Sequence, residues 1–379
     1  MTQTQAKPNY IDLKTLYDRL KQLGFNRDFI KDNGLPEWWC DEYEASPDAV
    51  VTAAFYFSRR FNLDFNSLLN QDLAPTFETQ SKTRFKTVSK VKSNAIQDSQ
   101  NNSQFTEDTT TVSNKTIPSE LVVAHNLALR VAELVSHTYK QQYHPVEGIT
   151  AREIRAAILD KYANVSLEAL LAFCHEHGIP IAHFADFPNT VKKFHGMVTQ
   201  SKGHPVILAS LRDRSPSRLS FIIAHELGHI ALGHLKDGMT ISEEEIGTFD
   251  LQDNEECAAN EFAAELILGQ PDRVYYFPHF MTADRLAKSA IEKSQRDRVD
   301  SGAIVWNYGW YKKSHFPVAR KAAGLIEQEA NAPQLINKYL SRSLDWESLS
   351  NDNQEYLALV LGLDILEIME EARNCLPAS

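Results

Sequence analysis

Two histidines four residues apart, with a glutamate directly after the first, stand at His225, Glu226 and His229 in the stretch SPSRLSFIIAHELGHIALGH (residues 215–234). On a helix, residues i and i+4 share a face, so both imidazoles can turn a nitrogen toward one ion. Glu226 lies about 100° further round the helix, placed to take a proton from an ion-bound water without being a ligand. Zinc held by three protein groups with its fourth position open lowers the pKa of its water to about 7, and a neighbouring carboxylate then accepts the proton. That is the logic of a metal-dependent peptide-bond hydrolase. An HExxH is short enough to arise by chance in an exposed helix rich in Glu and His. Here the flanking Phe221, Ile222, Ile223, Ala224, Leu227, Ile230, Ala231 and Leu232 are apolar almost all round. The helix is therefore expected to be buried, and buried imidazoles and carboxylates need partners.

The third ligand must come from elsewhere. A metzincin would continue with Gly at position 232 and His at 235, where this chain has Leu232 and Leu235. A Glu on a second helix is the common alternative, and the candidate is DNEECAANEFAAELI, residues 253–267. Glu256, Asn260 and Ala263 share one face of it, so Asn260 is expected to hold the Glu256 carboxylate. Two other readings compete. Asp253 and Glu256 also fit a helix capping box, and Glu255 is a rival ligand, while Glu243, Glu244 and Glu245 read as a solvated loop. Cys257, beside the candidate ligand, reads as a small buried thiol.

These residues need elements to position them. Ser215 and Pro216 suit the start of a helix over 216–233 and Gly233 its end. Upstream, 121–142 and 151–177 read as amphipathic helices, and the apolar runs 179–184 and 204–211 as strands. The second strand, with Val206, Ile207, Leu208 and Ala209, is expected to take the substrate as an added strand along a sheet edge. Tyr275, Tyr276, Arg273, Tyr308, Tyr311 and His315 are candidates for an oxyanion donor. Residues 10–72 read as helices, with a stop at Gly24, and the C-terminal part as mostly helical. Between them, 75–118 is rich in Ser, Thr, Asn, Gln and Lys and reads as a flexible linker, with a basic run at Lys82, Arg84, Lys86, Lys90 and Lys92.

The whole chain has 379 residues and a net charge of −11, which disfavours wholesale nucleic-acid binding. No run approaches the length of a membrane span, and the start MTQTQAKPNY has no apolar signal segment. The four cysteines lie far apart and form no CxxC pair. A cytoplasmic protein of several domains is expected: 1–74, 75–118 as linker, 119–272 and 273–379.

The motifs together resemble the ImmA/IrrE metallopeptidases, a group of bacterial phage, mobile-element and stress-response proteins that act on repressors. The resemblance rests on Arg218, Phe221, Ala224–His229 and Leu232–His234, on Glu256, Ala259, Asn260, Phe262–Ala264, Glu265 and Leu266, and on segments 177–181, 196–198 and 205–210. It covers about 121–272. It implies an α+β, predominantly helical fold with a gluzincin-like core, a small sheet packed on two crossed helices. One zinc ion is implied on His225, His229 and Glu256, with Glu226 as general base; manganese or iron(II) also suits such donors. His234 recurs in the family pattern without an assigned role, and reads as a core or capping residue. The implied activity is cleavage of a regulatory protein, a transcriptional repressor or antitoxin-like partner. The alternatives are a binding protein on a peptidase core, or a mobile-element or phage-defence effector. Residues 1–74 resemble a degenerate helix-turn-helix domain of phage-repressor type. Eight Lys+Arg stand against eleven Asp+Glu in 1–75, and GLPEWWCDEYE occupies the position of a recognition helix, so DNA binding is not expected. The sequence assigns no role to 273–379.

Overall fold

The structure is a computed structural model and describes residues 11–78, 121–235, 240–243, 254–277 and 281–374. From residue 79 onward the expected linker, with its basic run, lies outside these residues, as do Glu244, Glu245 and Asp253. The chain is α+β and predominantly helical. Its N-terminal part contains α1 (Leu13–Leu23), α2 (Arg27–Phe29), α3 (Asp41–Glu44), α4 (Ala49–Phe61) and α5 (Phe65–Leu69). Gly24 ends α1 in the left-handed conformation, as expected. Then come α6 (Val122–Thr138), α7 (Ala151–Lys161), α8 (Leu167–Glu176), β1 (Ile181–His183), β2 (Gly196–Ser201) and β3 (His204–Ala209). The site-bearing part follows as α9 (Pro216–Ala231), β4 (Thr240–Glu243) and α10 (Asn254–Leu268). The rest is α11 (Ala283–Asp297), α12 (Ser301–Tyr311), α13 (Phe316–Ile326), α14 (Ala332–Ser341), α15 (Asn351–Leu361) and α16 (Ile365–Asn374). The single helix expected over 151–177 is two helices. Ser166 leaves the helical conformation and its side chain accepts from Ala169 N, capping α8 as a fresh start.

The four strands run in the order β1-β3-β2-β4. β1 is parallel to β3, and β2 is antiparallel to both β3 and β4. Strand β3 is therefore interior, with Ile207 paired to Ile181 on one side and Val198 on the other. This corrects the expectation that Val206, Ile207, Leu208 and Ala209 line a free edge. Their main-chain groups already pair with β1 and β2, and β1 and β4 are the edges.

Both faces of the sheet are buried, which is why PVILA (residues 205–209) is continuously apolar rather than alternating. Ile207 and Ala209 face a core shared with α8, α9, α10 and α12. Val206 and Leu208 face a second core, built with α6, the N-terminal Phe25, Phe57 and Phe61, and the C-terminal Leu340, Leu357 and Leu361. Residues 11–78 thus have no core separate from the rest of the chain. Arg60 of α4, only 2% exposed, sends Nη2 to Glu355 of α15 at 2.7 Å and Nη1 to the Leu35 carbonyl at 2.7 Å.

Candidate metal centre

Helix α9 begins where expected. Ser215 Oγ accepts from Arg218 N and Pro216 opens the first turn. At the other end Gly233 adopts φ +70°, a left-handed conformation that glycine enters without a Cβ clash. The chain folds back there, with Gly233 N donating to Ile230 O at 3.0 Å and His234 N to His229 O at 2.9 Å. Between these caps His225, Glu226 and His229 are all 0% exposed. Helix α10 packs against α9 and presents Glu256, whose side chain is 13% exposed.

Three donor atoms converge. His225 Nε2 and His229 Nε2 lie 3.0 Å apart. Glu256 Oε2 lies 3.4 Å from the first and 3.5 Å from the second. Three ligands bound tetrahedrally to one zinc, each at about 2.0–2.2 Å, stand roughly 3.3 Å apart. Two imidazoles and one carboxylate are also the donor chemistry of a zinc site that keeps a position open. The residues fit a divalent ion of that kind. Burial alone would raise the Glu256 pKa, but the contacts with His225 and His229 outweigh it and hold the carboxyl well below its ordinary range.

Glu226 is not part of this triangle. Both its carboxylate oxygens are buried, and neither has a hydrogen-bond partner among the described residues. Burial pushes its pKa up to about 7, against the lowering effect of His225 and His229. A carboxyl poised near neutrality suits a group that takes and returns a proton. Main chain from β2 crowds the same carboxylate. A Cβ on Gly196 would lie 2.2 Å from Glu226 Oε1 and 3.0 Å from Ile222 Cγ2, so any larger residue there would displace the carboxylate or the strand.

Residues 174–289 match the family model described as the IrrE N-terminal-like domain (Peptidase_M78). This part of the chain is similar to that domain and is of ImmA/IrrE type. The match bears out the resemblance carried by the motifs, and it leaves α1–α7 and α12–α16 outside. Among curated proteins and among solved structures, nothing matches the chain.

Within the ImmA/IrrE-type domain, the fold of the Gly233 turn gives His234 a contact that the sequence did not reveal. His234 Nδ1 lies 3.0 Å from His229 Nδ1. Were Nε2 of His229 to give its lone pair to an ion, its proton would stand on Nδ1 and be donated to His234. His234 would then fix the tautomer and ring orientation of His229. Replacing such a partner weakens metal binding by about 10–100-fold. The His234→Ala chain should lose zinc to a competing chelator at correspondingly lower chelator concentration, and an unchanged affinity would remove this role.

Glu255 is half-buried at the start of α10 and outside the three-residue group, and Glu243 ends β4. Asn260 makes no hydrogen bond to Glu256, contrary to expectation. Its Oδ1 is buried without a partner among the described residues, and the side chain lines a neighbouring cleft. The amide follows Glu256 by one helical turn of α10. Cys257 is half-buried rather than buried. Arg218 forms an ion pair with Asp213 and lies over the Trp306 ring at 5.1 Å. Of the oxyanion candidates, Arg273 and Tyr275 both bond Asp297, and Tyr308 stacks on His315. Tyr311 lines the cleft, with the Tyr276 ring edge-on beside it.

Proposed function

We propose that this chain is a zinc-dependent endopeptidase, with one zinc per chain, that cuts a specific regulatory protein. A transcriptional repressor or antitoxin-like partner suits the reading best, and cutting it would relieve repression. The partner is then the substrate protein, with no part for DNA at residues 1–74 and none for a membrane. Among the described residues no helix is long and apolar enough to cross one.

The observation that carries the reading is Glu226, a fully buried carboxylate with no hydrogen-bond partner for either oxygen among the described residues, held beside a three-donor triangle that it does not join. Leaving a carboxylate so is costly unless the site uses it. A divalent ion on His225, His229 and Glu256 supplies Lewis acidity that makes water nucleophilic near neutral pH. The chain's own residues do the rest. Glu226 accepts the water's proton at Oε1 or Oε2 and carries it toward the leaving amine. His234 orients His229, and Gly196 leaves the carboxylate room. The sheet and α10 shut bulk water out of the buried triangle.

The test is direct. The purified chain should hold one zinc by elemental analysis. Incubated in turn with repressor-type proteins of the same genome, it should cut one of them into a discrete pair of fragments by intact-mass spectrometry, and a chelator should stop the reaction. A zinc-loaded chain that binds that regulator and leaves it whole would instead be a binding protein built on a peptidase core.

A further inference from the structure

An apolar cleft of about 320 Å³ opens beside Glu226, between α9, α10 and α12. Its position follows from residues already described. Ile222, in the cleft wall, precedes Glu226 by one turn of α9, and the two side chains crowd the same point at Gly196. Asn260, also in the wall, follows Glu256 by one turn of α10. His195, directly before Gly196, is a third wall residue. The cleft thus adjoins the candidate centre through residues one helical turn, or one strand position, away from it.

Its chemistry is equally specific. Leu211, Phe221, Ile222, Ile267 and Trp306 form an apolar lining. The two arginines of the wall are neutralised locally, Arg218 by Asp213 and Arg273 by Asp297. Glu261 and Asp272 stand exposed at the rim. Beside them Trp310 and Tyr311 leave 46% and 57% of their surface in solvent, a cost that a ligand covering the rings would remove. In this wall the buried Asn260 Oδ1 has no hydrogen-bond partner among the described residues. A volume of this size is at the lower end for ligand clefts, enough for one or two side chains rather than a long segment.

We propose that this cleft receives a bulky apolar side chain, leucine or an aromatic, of the substrate residue next to the bond that is cut. Asn260 Oδ1 accepts a main-chain N–H of the same peptide. Helix α12, outside the family match, thereby gives the C-terminal part a function: it supplies Trp306, Trp310 and Tyr311 as the outer wall of the specificity site. This assignment rests on the endopeptidase reading above, and the experiment separates the two.

Binding is measured on the zinc-loaded Glu226→Gln chain, which should not turn substrate over, by calorimetry with acetylated octapeptide amides that vary one central residue X. Peptides with X = Leu or Phe should bind about 10–100-fold more tightly than those with X = Ala or Asp. Trp310→Ala, a half-exposed position, should cost the Leu and Phe peptides most of that advantage and leave the Ala peptide unchanged. Ala264→Phe, which narrows the cleft from α10, should do the same. Equal affinity for every X, or a preference that neither variant alters, overturns the proposal. Wild-type chain is then given the same peptides. If it leaves both these peptides and the regulatory protein whole while the binding preference holds, the endopeptidase reading falls and the apolar site stands. If it cuts them without regard to X, the endopeptidase reading stands and the apolar site falls.

Discussion

The Glu226→Gln chain is expected to carry zinc at the wild-type level and to cut its protein substrate at least about 10³-fold more slowly. Glutamine keeps the shape of the side chain and removes the proton acceptor, and general acid–base contributions run to about 10²–10⁴-fold. Metal content should hold because the donors within 3.5 Å of one another are His225, His229 and Glu256, not Glu226. The fold should hold as well, since a neutral amide costs less to bury than a carboxylate whose oxygens lack partners. Three measurements check this: kcat/KM on the substrate, zinc per chain, and the thermal midpoint. Undiminished cleavage would mean that another group is the base. Lost zinc would mean that Glu226 is a ligand after all.

Gly196→Ala should slow cleavage by about 10²-fold while the metal stays bound. The added methyl would sit 2.2 Å from Glu226 Oε1 and 3.0 Å from its Cδ. Something must move, and the strand is poorly able to. Gly196 pairs with Ala209 on one side and Glu243 on the other. The carboxylate is displaced instead, and a shift of about 1 Å in a reacting group can cost 10²-fold. Gly324→Ala in α13 is the control, because an added Cβ there meets nothing within 4 Å. It should leave cleavage unchanged. Full activity in Gly196→Ala would show that the β2 main chain does not constrain Glu226.

What the residues disclosed about this site depended on how local the causes were. Helix α9 was legible because its cap residues, its apolar faces and its paired histidines all lie within residues 215–234. Glu256 was ambiguous from spacing and became specific only through the family motif, since the approach of α10 to α9 is a tertiary event. His234 was visible as a residue but not as the partner of His229. That contact depends on the reversal at Gly233, which changes the direction of the chain within two residues. The edge assignment of β3 failed for a related reason. An apolar run shows that a strand is buried, but not which strands flank it. Strand β2, reading GMVTQS, becomes polar toward its end, and β4 is only four residues long, so neither announced itself. The aromatic faces of α1–α5 looked like the makings of a separate domain. Their partners, Leu340 to Leu361, lie hundreds of residues further on, a distance that no periodicity within a segment can span.

That last pairing sets a timetable for the nascent chain. Arg60 and Glu355 are 295 residues apart, so at ~5–20 residues per second a ribosome needs about 15–60 s between making one and making the other. Throughout that interval Phe25, Phe57 and Phe61 have only part of their final cover, and the guanidinium of Arg60 has no carboxylate. The N-terminal helices, first to be translated, are then among the last to reach their native state. Until residues 340–361 arrive, these apolar faces are open to wrong partners.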